Sequence, residues 1–192
     1  RGPRHDRPGD DAPGITLTVD GLLLRPWHAD DAPAVQAACQ DPDIAHWLAL
    51  PDQFGPDEAM AFIEDANGMG RDGTGTPFAV VDVTSDQLLG AVTRFGPEGH
   101  VSTFGCWVAP EARGRGVGSQ ALQLLAEWTF ATTPTVRIDG SIMVGNEASE
   151  RMVLRLGWQR EGILRAYHLR SDGAPVDCVV YSILRGDASA SG

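Results

Sequence analysis

The sequence predicts a single α/β (α+β) domain, a mixed sheet with helices on both faces. Three observations predict it. The chain has 192 residues and is 42% hydrophobic, the size and composition of one soluble domain with a substantial core. Apolar patterns of period two and period 3.6 follow one another in the order β-α-α-β-β-β-α-β-α-β-β, which gives seven strands. A strand-like run, Phe104 to Val108, passes through an Arg/Gly-rich loop directly into a helix-patterned segment.

Thr16 to Trp27 reads as strand, with a hairpin signal at Asp20-Gly21. Asp30 or Asp31 can cap a helix reaching Gln40. Ile44 to Pro51 reads as a connector holding His46 and Trp47. Pro56 opens a second helix, with Ala59, Phe62, Ile63 and Ala66 on one face and Gly68 at its end. Pro77 to Thr84 and Gln87 to Phe95 are strands around a turn at Asp86, and Val101 to Val108 is a third. Ser119 to Ala131 is a helix that turns Ala121, Leu122, Leu125 and Trp128 inward. Val136 to Met143 is a strand and Glu147 to Leu156 a helix, with Asn146 as its cap and Gly157 as its stop. Trp158 to Leu169 and Val176 to Leu184 are the last strands. No internal repeat is visible.

The loop after Val108 carries the chemistry. Glycines let a backbone turn sharply and approach a ligand closely. The start of a helix presents unpaired N–H groups and a partial positive charge, and together these bind phosphate or pyrophosphate. Arg113 and Arg115 add cations to that loop. The chain contains no lysine, so the Gly-Lys-Ser/Thr of a P-loop is missing. The spacing Gly114-x-Gly116-x-Gly118 does not fit the dinucleotide fingerprint either. It fits Arg-x-x-Gly-x-Gly, as Arg113-x-x-Gly116-x-Gly118.

That pattern resembles the acyl-CoA pyrophosphate loop of the GNAT superfamily of N-acetyltransferases. A second segment narrows the resemblance. Asn146-Glu147-Ala148-Ser149, followed by Gly157-Trp158, is similar to the Asn-x-x-Ser…Gly-Phe/Trp segment of the ribosomal-protein alanine acetyltransferase (RimJ/RimL-like) branch. Leu22-Leu23-Leu24-Arg25-Pro26-Trp27, Gly162-Ile163-Leu164-Arg165 and Asp172-Gly173…Asp177…Tyr181-Ser182 are also similar to that branch, in the same order.

The resemblance implies the GNAT fold, a mostly antiparallel seven-stranded twisted sheet whose central strands, 101–108 and 136–143, splay apart around a pantetheine arm. It implies that acetyl-CoA or another acyl-CoA is the co-substrate, held by Arg113, Gly114, Arg115, Gly116, Val117, Gly118 and Ser119. Asn146 resembles the residue that hydrogen-bonds the pantetheine, and its capping role is compatible with that. Val108, Ser149 and Arg151 join the cofactor-binding set. The backbone N–H of Val108 or its neighbour is the implied oxyanion contact. Ser149 is similar to the serine placed beside the sulfur, where a hydroxyl helps a thiolate leave. Its position beside Met152 and Val153 also suits a small residue that allows close packing.

An amine acceptor is mostly protonated at neutral pH, so a base must take a proton. Asp139 is the first choice. His100, His168, Glu161 and a water are the others. Related proteins often carry a Glu in the strand at 101–108, and here that position is Thr103.

Composition bounds the partners. A net charge of −11 argues against nucleic acid and anionic membrane surfaces. Residues 1–72 carry 14 acids against five arginines, and 73–192 carry 12 against ten. Between Pro26 and Gly70 nine acids stand with no Lys or Arg. The resemblance implies that the helical segments 29–40 and 56–67 flank the acceptor, where these acids suit a cationic amine. The alternative is a face that only keeps the protein soluble. The cysteines, Cys39, Cys106 and Cys178, are odd in number and lack a Cys-x-x-Cys pair. They argue against a disulfide framework or a metal site and for core packing in a reducing cytoplasm. Residues 1–14 read as a disordered arm with no apolar stretch of the signal-peptide kind, 15–186 as the N-acyltransferase domain, and 187–192 as a loose tail. Homo-oligomerisation stays open.

The function read from the sequence is acetyl transfer from acetyl-CoA to a primary amine, a protein N-terminus or a cationic small molecule, directly in a ternary complex. Two alternatives remain. One is the same fold using succinyl-CoA or another acyl-CoA, with Arg94, Arg165 or His100 facing a charged acyl tail. The other is a catalytically silent CoA-binding or interaction module.

Overall fold

The computed structural model describes residues 14–51 and 53–188. The N-terminal arm, Asp52 and the end of the tail lie outside those residues. Eight strands form one sheet: β1 (Leu17–Val19), β2 (Leu22–Arg25), β3 (Gly75–Asp82), β4 (Leu88–Phe95), β5 (Val101–Val108), β6 (Arg137–Met143), β7 (Gln159–Leu169) and β8 (Pro175–Leu184). Their spatial order is β1-β2-β3-β4-β5-β6-β8-β7, and every neighbouring pair is antiparallel except β5–β6. The helices are α1 (Ala32–Cys39), α2 (Pro42–Trp47), α3 (Pro56–Asp72), α4 (Val117–Thr132), α5 (Glu147–Arg155) and the short α6 (Arg185–Ala188). Among the described residues no helix is long and apolar enough to cross a membrane.

The strand count corrects the expected seven. Asp20 (φ 40°) and Gly21 (φ 85°) both take the left-handed conformation that a tight hairpin turn requires, so the first strand segment is two strands. The connector expected at 44–51 holds α2. Asp41 accepts a hydrogen bond from Ile44 N–H at 3.1 Å as its N-cap, and Pro42 starts its first turn. The second helix runs past Gly68 to Asp72, where Gly73 (φ 69°) ends it in the left-handed conformation.

Adjacent residues on a strand point to opposite faces. Trp107 of β5 meets Phe62 of α3 and Trp27, with ring centroids 6.5 Å apart in each case. Val108 turns the other way, toward Gly118 of α4. Helices α3 and α4 therefore cover opposite faces of the sheet. The main core lies between the sheet and these helices, with Leu24, Val35, Phe78, Leu125 and Ile138 fully enclosed. Met143, Val176 and Cys178 make a second, smaller cluster, covered by Trp47 and Ala49.

The central feature is the parting of β5 from β6. They pair only over Val101–Thr103 against Arg137–Asp139. Beyond that, β5 stays with β4 as far as Val108, and β6 stays with β8 as far as Met143. Gly140 stands where they separate. A Cβ there would lie 3.1 Å from the Phe104 carbonyl oxygen, so a side chain would crowd the fork.

Candidate active site

The loop from β5 to α4 is shaped by its glycines. Gly114 (φ 73°) and Gly116 (φ 82°) hold the left-handed conformation, and a Cβ on either would meet nothing within 4 Å. The backbone at both positions is therefore open to close approach. Gly116 is the N-cap of α4, and no side chain caps that helix, which leaves its first N–H groups available to an anion. Gly118 has a different role. A Cβ there would lie 3.0 Å from both Met152 Sδ and Val108 Cγ2, so this glycine lets α4 pack closely against α5 and β5.

These residues line one cleft of about 690 Å³. Its floor is Cys106, Trp107 and Val108 at the end of β5. One wall is the β5–α4 loop and the start of α4, with Arg113, Gly114, Gly116, Val117, Gly118 and Ser119. Another is α5, with Asn146, Ser149, Met152 and Arg155. Asn146 Oδ1 caps α5 by accepting from Ser149 N–H at 3.1 Å. α2 closes the mouth with Asp43, Ile44, Trp47 and Leu48. The cleft runs from the N-terminus of α4 past the end of β5, where β5 has left β6, to α5. Burial pushes the Cys106 thiol up to about 12, so it is held neutral and is a poor nucleophile.

Nine of the residues expected from sequence thus come together: Val108, Arg113, Gly114, Gly116, Val117, Gly118, Ser119, Asn146 and Ser149. Three lie off the cleft lining. Arg151 turns outward and pairs with Glu147 at 2.9 Å, while Arg155, one turn later, takes the inward place. Arg115 is not part of the lining. Asp139 sits at the closed end of the fork, accepting from Thr103 Oγ1 at 2.9 Å and facing Arg137 Nε at 3.5 Å.

The other proposed bases separate by position. Glu161 accepts from Ser182 and from Arg137 at 2.7 Å, and these bonds hold its carboxyl below the ordinary range. His100 precedes β5, where its carbonyl accepts from Val136 N–H, at the end of the strand far from Val108. His168 of β7 is 3.1 Å from Ser141 Oγ. Ser141 lies two residues beyond Asp139 on the same face of β6, in the stretch that β5 has left. Arg94 is buried against Thr76 and the Gly96 carbonyl, and neither it, Arg165 nor His100 lines the cleft.

Sequence reasoning missed the α2 residues, because six residues are too few for a helical period to show. It also missed Met152 and Arg155 as lining. They lie three and six residues after Ser149, on the face of α5 that its periodicity defines.

A fork in a mixed sheet, with an uncapped helix start at its mouth, is the architecture of an acyltransferase that takes a phosphate-bearing acyl donor. The sequence matches the family described as acetyltransferase (GNAT) domain over residues 21–159, and the chain belongs to that family and is an acyltransferase. It is 25% identical over 171 residues to the uncharacterized N-acetyltransferase YoaA of Bacillus subtilis, covering 88% of this chain and 96% of that one. Its fold is similar to that of a putative ribosomal-protein-serine acetyltransferase from Vibrio cholerae (TM-score 0.78, 24% identity, 91% and 99% of the two chains). It is also similar to that of Mycobacterium smegmatis RimJ in complex with CoA-disulfide (TM-score 0.79, 21% identity, 92% and 91%).

Proposed function

We propose that this protein transfers an acetyl group from acetyl-CoA to a primary amine in the cytoplasm, in the manner of the RimJ/RimL-like branch. One observation carries the reading: the open, glycine-shaped N-terminus of α4 and the end of β5, where that strand has left β6, line one cleft. The N–H groups of Val117, Gly118 and Ser119 hold the pyrophosphate, with Arg155 adding charge on the opposite wall. When bound, acetyl-CoA supplies an activated acyl group on a thiol that leaves readily. Val108 N–H stabilises the oxyanion, and Ser149, whose hydroxyl makes no side-chain hydrogen bond among the described residues, gives the thiolate a proton and regains one from solvent. His168, through Ser141, takes the proton of the incoming ammonium and, being exposed, returns it to solvent. The neutral Cys106 favours direct transfer over an acyl-cysteine step.

The acidic stretch supports a cationic acceptor, in a narrower form than a count of charges implies. Asp31 is bound to Arg25, and Asp41 and Asp43 to Arg113. Asp30, Asp57, Glu58, Glu64 and Asp65 stay exposed, four of them on α3. They attract a basic N-terminus or polyamine-like molecule more strongly at low salt.

Mass spectrometry of small molecules that co-purify with the protein, followed by free-thiol release from acetyl-, propionyl- and succinyl-CoA with a panel of amines, tests the proposal. Acetyl-CoA turnover with cationic amines is expected. CoA binding without thiol release from any donor would establish a silent module instead.

A further inference from the structure

Arg113 lines the cleft, yet its guanidinium is already engaged. Nη2 donates to Asp41 Oδ1 at 2.5 Å and Nη1 to Asp43 Oδ2 at 3.3 Å. Both acids belong to the start of α2, one as its N-cap and the other as part of the cleft lining. The arginine that the loop presents to a phosphate is therefore held by two carboxylates of a different element. Arg155 lines the same cleft with no carboxylate partner among the described residues.

α2 is also fastened at its other end. Arg170, on the turn between β7 and β8, lies 3.3 Å from His46 Nε2. Between the two fastenings, Trp47 lines the cleft and packs on Met143, Val176 and Cys178. Those residues belong to the β6–β8 half of the sheet, whereas Arg113 follows the β4–β5 half. α2 thus crosses the open end of the fork and ties the two halves together through side chains.

We propose that Asp41 and Asp43 are positioning residues that act through Arg113: they hold α2 across the fork until the anionic head of the donor takes the guanidinium, so donor entry frees α2. The inference rests on the reading of the cleft as an acyl-CoA site. Arg113 is a little over one-third exposed and Asp43 largely so, which makes the contact weak enough to exchange. A diphosphate brings more charge to a guanidinium than a carboxylate does, and its fork accepts either. Linkage requires reciprocity: the factor by which the two acids weaken donor binding is the factor by which the donor weakens their hold on α2.

The test is the double variant Asp41→Asn, Asp43→Asn. Asparagine caps a helix as well as aspartate does, so α2 keeps its start. Calorimetric titration with CoA at low salt is expected to give a Kd about threefold lower than wild type, the range of a partly exposed ion pair. Amide exchange over 42–48 is expected to speed up when CoA is added to wild type and to stay unchanged when it is added to the variant. The control Glu64→Gln, Asp65→Asn alters net charge equally without touching Arg113, and should leave the CoA Kd at the wild-type value. An unchanged or raised Kd in the first variant, an equal gain in the control, or CoA-independent exchange in wild-type α2 overturns the inference. Wild-type protein that binds no CoA overturns the reading of the cleft, and the inference with it.

Discussion

Arg25 and Asp31 form an ion pair buried on both sides, with Nη1 and Nη2 of the arginine donating to the two carboxylate oxygens at 2.9 and 2.8 Å. Asp31 also accepts from His28 N–H at 2.8 Å, which ties the end of β2 to the turn that starts α1. Burial would raise the Asp31 carboxyl, but the hydrogen bonds from Arg25 and His28 outweigh it and hold it below the ordinary range. Asp31→Ala takes one of two carboxylates from the buried Arg25 guanidinium, Asp86 staying at 2.9 Å from its Nε, and is expected to cost about 1–3 kcal/mol in denaturant unfolding. A lowered carboxyl contributes stability that is complete above the unfolded value, about 3.9, and lost as pH falls through the folded one. Wild-type stability should therefore fall in acid below about pH 4, and Asp31→Asn should fall less steeply there.

Gly116 and Gly118 separate binding from folding. Gly116→Asp points a carboxylate into open space at the helix start. It should abolish CoA binding in calorimetry, at a stability cost of about 1–2 kcal/mol from the left-handed backbone. Gly118→Asp instead drives a side chain between Met152 and Val108, and its loss of binding should come with a clear drop in Tm.

Ser149→Ala should lower kcat by about tenfold or more while changing the Kd for CoA little, because its hydroxyl matters as charge develops on sulfur. The capping bond uses Ser149 N–H and survives the change. Equal kcat with only a raised KM for acetyl-CoA removes the serine from proton donation.

His168→Gln keeps a hydrogen-bonding partner for Ser141 Oγ but cannot cycle a proton. The acid limb of the kcat/KM profile for the amine should disappear in this variant, with kcat down about a hundredfold. A full acid limb in His168→Gln assigns proton removal to another group. Asp139→Asn serves as the comparison and should leave that limb in place.

Thr129 lies fully enclosed on α4, and its hydroxyl has no hydrogen-bond partner among the described residues. Valine has the same shape without the unpaired group. Thr129→Val is expected to stabilise the fold by about 1 kcal/mol, a rise of about 2–4 °C in Tm. A lower Tm would show that the hydroxyl is satisfied in solution.

Long elements were legible in the sequence because each shows its period several times over. β5 spans Val101 to Val108 as expected, and α4, β6, α5, β7 and β8 differ from expectation by two residues or fewer at either end. The Arg113–Ser119 loop and Asn146–Ser149 cap were legible because glycine and cap positions announce backbone geometry. Short and non-local features were not. α2 has no room to repeat a pattern, and its cap, Asp41, resembles any Asp-Pro turn. The inward choice of Arg155 over Arg151 depends on how α5 is rotated against α4, which spacing alone leaves open. Nothing in sequence joins His168 to Ser141 or Arg137 to Glu161, because those contacts depend on strand order.

Past Thr103 and Asp139, the sheet has two edges that face each other instead of the solvent. Each presents backbone donors and acceptors with no partner strand, and turning them inward keeps them from templating contacts with other chains. An extended molecule carrying amides can lie between them as a temporary ninth strand. Recognition of that kind reads peptide-like groups and ignores what hangs at the end of the arm. On the proposed acyl-CoA reading, discrimination among acyl groups is left to side chains, and substitution of Cys106, which lines the cleft, is expected to retune the donor without disturbing its grip.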